Sequence, residues 1–341
     1  MVDLRSDTIT MPTPAMRDAM QRAELGDDVL GDDPTVISLQ EKIAGMLGKD
    51  AALFVPSGTM GNQLAIRAQV EPGDEVIAHE DSHIIHYEGG APAALSGCSI
   101  LPLRGPRGFF EESQVHAAIR PTECHFAQSR LLVVENTCNR GGGSIWPLEQ
   151  LAGVARAGRE HGLRIHLDGA RLFNASVASG VALATYAEHF DTISICFSKG
   201  LGAPVGSALV GDAETVRRAH RFRKLFGGAM RQSGLLAAAA AYALDAHLDR
   251  LADDHVNAMR LATALAGMPA VRLDPATVET NIVFFDIDSE WGTAADVAER
   301  LARAGVRMMA LGPQRLRAVT HLDVDSAGID KAIACCRQVL S

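Results

Sequence analysis

Lysine is scarce in this sequence. Among 341 residues the only lysines are Lys42, Lys49, Lys199, Lys224 and Lys331, and Asp plus Glu outnumber Lys plus Arg 41 to 32, for a formal net charge of −9. A chain of that sign has no general affinity for nucleic acid or an anionic membrane surface. Its one basic stretch, RRAHRFRK (Arg217–Lys224), reads as a solvated or interface-facing helix. No apolar run approaches the roughly 20 residues that a membrane span needs. The six cysteines form no CxxC pair, and MVDLRSDTIT is charged from Asp3 onward. The expectation is a chain with no secretory leader and no disulfides, in the reducing cytoplasm. Repeats and low-complexity tails are absent. So are GxxxxGK[ST] and GxGxxG, which leaves no support for a P-loop or a dinucleotide fingerprint.

What is present is an alternation of apolar, β-branched runs with helical patterns. AALFV (51–55), GDEVIAHE (73–80), RLLVVEN (130–136), LRIHLDGA (163–170), DTISICFS (191–198) and GSALVGD (206–212) read as buried strands. Between them, helices are expected from about 59 to 69 and over PLEQLAGVARAGREHG (147–162), which has a proline start and a glycine stop. This predicts an α/β fold with a mostly parallel sheet and helices on both faces. An alanine-rich helix is expected over 234–248. Beyond about residue 250 a strand (280–288), a helix (293–305), a strand (315–324) and a final helix (326–340) predict a small C-terminal α+β domain. The expected organisation is an extended N-terminal segment over 1–16, a large domain over 17–249 and the small domain over 250–341.

Ligands bind at the carboxyl ends of strands in such sheets, so the residues just after each strand carry the functional signal. Ser57, Gly58 and Thr59 start a helix whose free N–H groups suit an anion, although an ordinary Ser/Thr cap has the same pattern. His83 and His86 form an HxxH without an evident third ligand, so no metal is expected, and His83 can stack on a flat ring. Asp168 ends an apolar strand and must be capped, paired or functional, with Arg171 as its candidate ion-pair partner. Lys199, in ICFSKGLGAPVG, closes another apolar strand and precedes glycines. A lysine so placed can attack a carbonyl; a phosphate-binding or ion-paired lysine is the alternative. Phosphate, flat ring, basic ring nitrogen and aldehyde together describe pyridoxal phosphate.

The sequence resembles the low-specificity L-threonine aldolases, within fold-type I pyridoxal-phosphate enzymes. The resemblance spans essentially the whole chain, through DLRSDTIT (3–10), GDDVLGDDPT (26–35), ALFVPSGTMGNQ (52–63), SHIIHYEGG (82–90), HLDGARLFNA (166–175), CFSKGLGAPVGS (196–207), GGAMRQSG (227–234) and RAVTHLDV (317–324). It implies a seven-stranded, mostly parallel sheet and a lyase that cleaves L-threonine, L-allo-threonine and related β-hydroxy amino acids to glycine and an aldehyde. It implies that Lys199 holds the cofactor as a Schiff base, that Asp168 pairs with the pyridine nitrogen and that His83 stacks on the ring. Ser57, Gly58 and Thr59 would hold phosphate, with Arg231 reaching in from a neighbouring subunit of a homo-oligomer, a tetramer built as a dimer of dimers. Ser6, Arg171 and Arg317 would hold the substrate carboxylate, Arg171 with the cofactor's phenolic oxygen as a second contact. His125 would sit near the substrate hydroxyl. The general base stays open among His125, His83 and a positioned water. Two positions depart from the family pattern: Leu30 replaces tyrosine in GDDVYG, which bears on the substrate's β-substituent, and Cys138 replaces histidine in ENTHN. Another fold-type I lyase or an aminotransferase, or a catalytically silent binding protein on the same fold, are the alternatives.

Overall fold

A computed structural model describes residues 1–341. The chain begins with β1 (Val2–Asp3), a 3-10 turn at Asp7–Ile9, α1 (Pro14–Gln21) and α2 (Pro34–Leu47). Then come β2 (Ala51–Val55), α3 (Gly58–Gln69), β3 (Glu75–His79), α4 (His83–His86), β4 (Ser99–Leu103), α5 (Glu112–Ala118), β5 (Ser129–Glu135) and α6 (Leu148–Glu160). They are followed by β6 (Arg164–Gly169), α7 (Leu172–Ser179), α8 (Leu183–Ala187), β7 (Thr192–Cys196), β8 (Ser207–Gly211), α9 (Ala213–Leu225), α10 (Gly234–Ala246) and α11 (Leu251–Ala266). The C-terminal part holds β9 (Val271–Arg272), β10 (Ile282–Ile287), α12 (Ala294–Ala304), β11 (Val306–Arg307), β12 (Met309–Ala310), β13 (Arg315–Val319) and α13 (Ser326–Leu340).

The large sheet has seven strands in the order β2-β8-β7-β6-β5-β3-β4, parallel except where β8 runs antiparallel to both neighbours. The α/β expectation holds, and its strands are continuous apolar runs because helices cover both faces. Sequence reading missed β4, the edge strand, whose five residues SILPL include a proline and only one buried residue, Leu103. Helix signals are explicit at α2: Asp33 accepts from the Val36 N–H, Pro34 occupies the first turn, and Gly48 ends the helix at φ +62°.

A second core surrounds the antiparallel sheet β12-β13-β10-β9. Val2 and Leu4 are buried in it, and β1 pairs in parallel with β11. The segment expected to be extended over 1–16 therefore completes the small sheet region and turns helical at Pro14. α11 crosses between the cores, with Leu251 in one and Leu261 and Leu265 in the other. The basic stretch lies on α9, whose Arg223 is fully buried and pairs with Asp28 at 2.8 Å.

Candidate active site

Every residue of β7 is buried, and three residues beyond its end the chain presents Lys199, half-buried. The turn is set by its carbonyl, which accepts from the Gly202 N–H (2.8 Å) and the Thr10 hydroxyl (3.2 Å). Gly202 sits at φ +79°, which a side chain would resist. Helix α3 lies directly against the same strand. A Cβ on Gly58 would stand 2.6 Å from Cys196 Sγ, and one on Gly61 would stand 2.5 Å from Ser194 Oγ. Glycine at both positions thus seats the N-terminus of α3, capped by Ser57 on the Met60 N–H, at the end of the lysine's strand. Ser207 Oγ lies 3.7 Å from the same Gly58 position, buried and without a hydrogen-bond partner.

A cavity of about 270 Å³ opens here, and it gathers Ser6, His83, Asp168, Arg171, Lys199 and Arg317. Asp168, at the end of β6, accepts from Asn62 Nδ2 (2.8 Å) and the Ala170 N–H (3.2 Å). The Asp168–Arg171 ion pair is not formed. Arg171 instead donates through Nε and Nη2 to Asp7, each at 2.7 Å, because the N-terminal segment crosses the site and offers a bidentate carboxylate. Burial would raise the Asp7 carboxyl, but Arg171, Lys199 and the Asn281 amide prevail and hold it below the usual carboxylate range.

His83 is tied through Nδ1 to buried Glu88 (2.8 Å). Burial disfavours its charged form, yet Glu88, Asp168 and Glu135 together raise its pKa above the ordinary histidine value. Asn62 joins the acids, donating to Glu88 as well as Asp168, and its oxygen faces His166 Nε2 at 3.1 Å. The ligand atoms of His83, Glu88 and Asp168 lie within 4.8 Å of one another, a spacing open to a cation. The amides of Asn62 and Gln63 already donate to the carboxylates there. Arg317, buried, reaches Asn139 Oδ1 (3.3 Å) and the Arg5 carbonyl (3.1 Å), while its Nε has no partner.

Other expected residues lie outside this cavity. Leu30 is 74% exposed, and Arg231 is 57% exposed on the side chain and pairs with Asp27 at 2.9 Å. His125 is exposed beside Cys124 Sγ (3.7 Å). Ser57 caps α3 and Gly58 and Thr59 begin it, and none of the three lines the cavity. His86 is held by the Glu80 carbonyl at 2.9 Å, so HxxH does not converge. Cys138 is buried, bonded to the Glu135 carbonyl (2.9 Å), and burial pushes its thiol well above the usual range. A more open groove of about 970 Å³ runs between the N-terminal segment and α13, but its His321 is occupied by the Asp3 carbonyl and the Asp323 N–H.

Sequence reasoning missed Asp7, Asn62, Glu88 and Glu135. Glu135 was within reach, since it too is a carboxylate closing an apolar strand. Asn62 and Glu88 carry no signal until the fold brings α3 against the segment that follows α4.

The cavity's donors, a primary amine, a carboxylate, an imidazole and a buried guanidinium Nε lacking a partner, fit the ring and substrate end of pyridoxal phosphate, and the unpartnered Ser207 hydroxyl beside the α3 N-terminus, outside that lining, suits a phosphate. The family described as Beta-eliminating lyase matches residues 3–288. The Low specificity L-threonine aldolase of Escherichia coli K12 is 42% identical, over all of this chain and all of that one. The threonine aldolase structure from Leishmania major superposes with a TM-score of 0.85 at 21% identity, covering 100% of both chains. An SPT structure with PLP superposes at 0.74 and 20% identity, over 99% of this chain and 87% of the other.

Proposed function

The chain belongs to the beta-eliminating lyase family and, within it, to the low-specificity L-threonine aldolases; from that premise we propose that it cleaves L-threonine, L-allo-threonine and related β-hydroxy amino acids to glycine and an aldehyde, with pyridoxal phosphate held covalently on Lys199. The observation that carries this reading is the convergence of Lys199, Asp168, His83 and Arg317 on one cavity. When bound, the cofactor supplies an electron-withdrawing ring that stabilises negative charge at the substrate's Cα.

The chain's own residues do the rest. Lys199 would hold the cofactor through its side-chain amine, just beyond the end of β7. Asp168, fixed by Asn62, keeps a proton on the ring nitrogen. Arg317 and Ser6 hold the substrate carboxylate, and the unpartnered Nε of Arg317 supports that role. Arg171, clamped by Asp7, shapes the wall and keeps its place in the carboxylate clamp. With the carboxylate fixed, the substrate's Cα and β-hydroxyl would be held in one orientation within the cavity. His83, or a water it holds, takes the β-hydroxyl proton as that bond breaks; the aldehyde leaves and Cα is reprotonated to glycine. His125 is the rival base, and its exposure in one chain means it would act only across a subunit boundary.

That boundary is part of the proposal. We read the enzyme as a homo-oligomer, a tetramer built as a dimer of dimers. Arg231 and Leu30 enter the neighbour's site, Arg231 joining Ser57, Gly58 and Thr59 at the phosphate. Six free thiols suit a cytoplasmic setting. Product analysis tests the reading: purified protein with pyridoxal phosphate and L-threonine should give glycine and acetaldehyde. The family's description favours one rival, β-elimination, and a keto acid with ammonia would establish it instead.

A further inference from the structure

Glu135 closes β5 in register with Asp168 on β6, 9% exposed, and lines the cavity. Its backbone is immobilised, since its carbonyl accepts from Trp146 Nε1 at 3.0 Å and from the Cys138 thiol at 2.9 Å. Its side chain looks two ways. Oε2 accepts from the His83 N–H at 2.7 Å, and Oε1 accepts from the Asn139 N–H at 2.7 Å. Asn139 in turn accepts from Arg317.

We propose that Glu135 is a positioning residue that couples the two halves of the site, holding His83 with one oxygen and, through Asn139, Arg317 with the other. Only a carboxylate offers two pure acceptors to two N–H donors; a carboxylic acid or an amide turns one of those atoms into a donor. The coupling is therefore made by the ionised form. Burial, and then the charge of Asp168, push the Glu135 carboxyl up to about 7, against the Asn139 and His83 N–H groups and the His83 ring. Arg171 also faces it, while the Cys138 thiol stays neutral. The sign follows: the grip is complete above that value and is lost as pH falls through it.

The inference rests on the pyridoxal-phosphate reading for its probe. The experiment is a titration of pyridoxal phosphate into protein stripped of it, followed by absorbance from about pH 6 to about pH 8.5, with melting curves run alongside to establish folding. Wild-type affinity should rise about tenfold across that range, the size of one charge-assisted hydrogen bond. Glu135→Gln should bind weakly with no such rise. Asn139→Ala should keep cofactor affinity but raise KM for threonine about tenfold at unchanged kcat, because only the Arg317 side is released. A flat wild-type profile, a Glu135→Gln profile parallel to wild type, or an Asn139→Ala enzyme with unchanged KM overturns the coupling. If Glu135→Gln does not fold, the wild-type profile and the Asn139 variant decide alone. Failure of the loaded protein to cleave threonine would sink the aldolase reading, yet the cofactor titration would still answer for Glu135.

Discussion

The Lys199 cavity and the face built from residues 25–33 and 225–235 stand in contrast. Inside the cavity three charged groups are held by specific partners: Arg171 on Asp7, Asp168 on Asn62, His83 on Glu88. On the other face Leu25, Leu30, Leu225 and Leu235 are exposed, and Arg231 points outward on Asp27. The two segments are tied together, since Asp33 Oδ2 also accepts from the Gly234 N–H at 2.9 Å. Large apolar side chains rimmed by a guanidinium mark a surface meant to be covered. One region draws its partners from within the chain, and the other leaves apolar side chains exposed. In the proposed assembly, ring chemistry would be built in cis, and phosphate and β-substituent recognition would wait for a second copy.

The largest effect should come from removing the anchor. Lys199→Ala is expected to cut turnover by about 10³-fold or more and to remove the near-visible absorbance of lysine-bound cofactor. That variant also tests the contrast. Arg231→Ala alone should weaken cofactor binding by about tenfold, so that its activity is low at limiting cofactor. If sites are shared, mixing the two variants under exchange conditions should create hybrids with one intact site, recovering roughly a quarter of wild-type activity. No recovery, with subunit exchange verified, would place Arg231 outside the neighbour's site and break the comparison.

A smaller effect is expected at the joint between α3 and β7. Gly58→Ala drives a Cβ to 2.6 Å from Cys196 Sγ. It should destabilise the protein by about 1–3 kcal/mol, as overpacking does, and weaken cofactor binding with it. Denaturant unfolding measures the first and absorbance titration the second. A Cys196→Ala partner change should restore part of both, whereas a loss of binding with full stability would mean that Gly58 acts through the anion itself.

The same contrast explains what could be read from the amino acids. Lys199, Asp168 and His83 were legible because each lies at or just beyond the end of a strand with a plain apolar signature, and the topology of a parallel sheet fixes where such residues go. Asp7 was not. Its pairing with Arg171 spans 164 positions, from a segment with little periodicity to a strand end, and nothing local announces it. The reading of Arg171 as the partner of Asp168 failed for that reason: sequence proximity substituted for a contact that only the tertiary structure supplies. Arg317, Ser6, Leu30 and Arg231 came from the resemblance rather than from patterning, and the structure separates them, the first two in the cavity and the last two on the open face.

Leu30 carries the finest distinction. It sits on a turn closed by Asp27, whose Oδ1 accepts from the Val29 N–H at 2.8 Å and whose Oδ2 holds Arg231. The turn's shape is therefore set by the Asp27 carboxylate and by the Asp27 carbonyl, which accepts from the Leu30 and Gly31 N–H groups, and not by the side chain at position 30. Leu30→Tyr should fold normally and add an aromatic hydroxyl wherever that turn meets the neighbouring copy. If it meets the neighbour's substrate, the effect should fall on choice rather than on rate. A phenol near the β-substituent favours polar, small groups, and leucine favours apolar ones, by about 1–3 kcal/mol at most, the range of one buried group. Comparing kcat/KM for threonine, allo-threonine and phenylserine reads this directly, with the ratio of phenylserine to threonine expected to fall in the tyrosine variant. An unchanged ratio, together with the complementation result above, would leave Leu30 as interface packing and confine substrate choice to the residues already assembled in one chain.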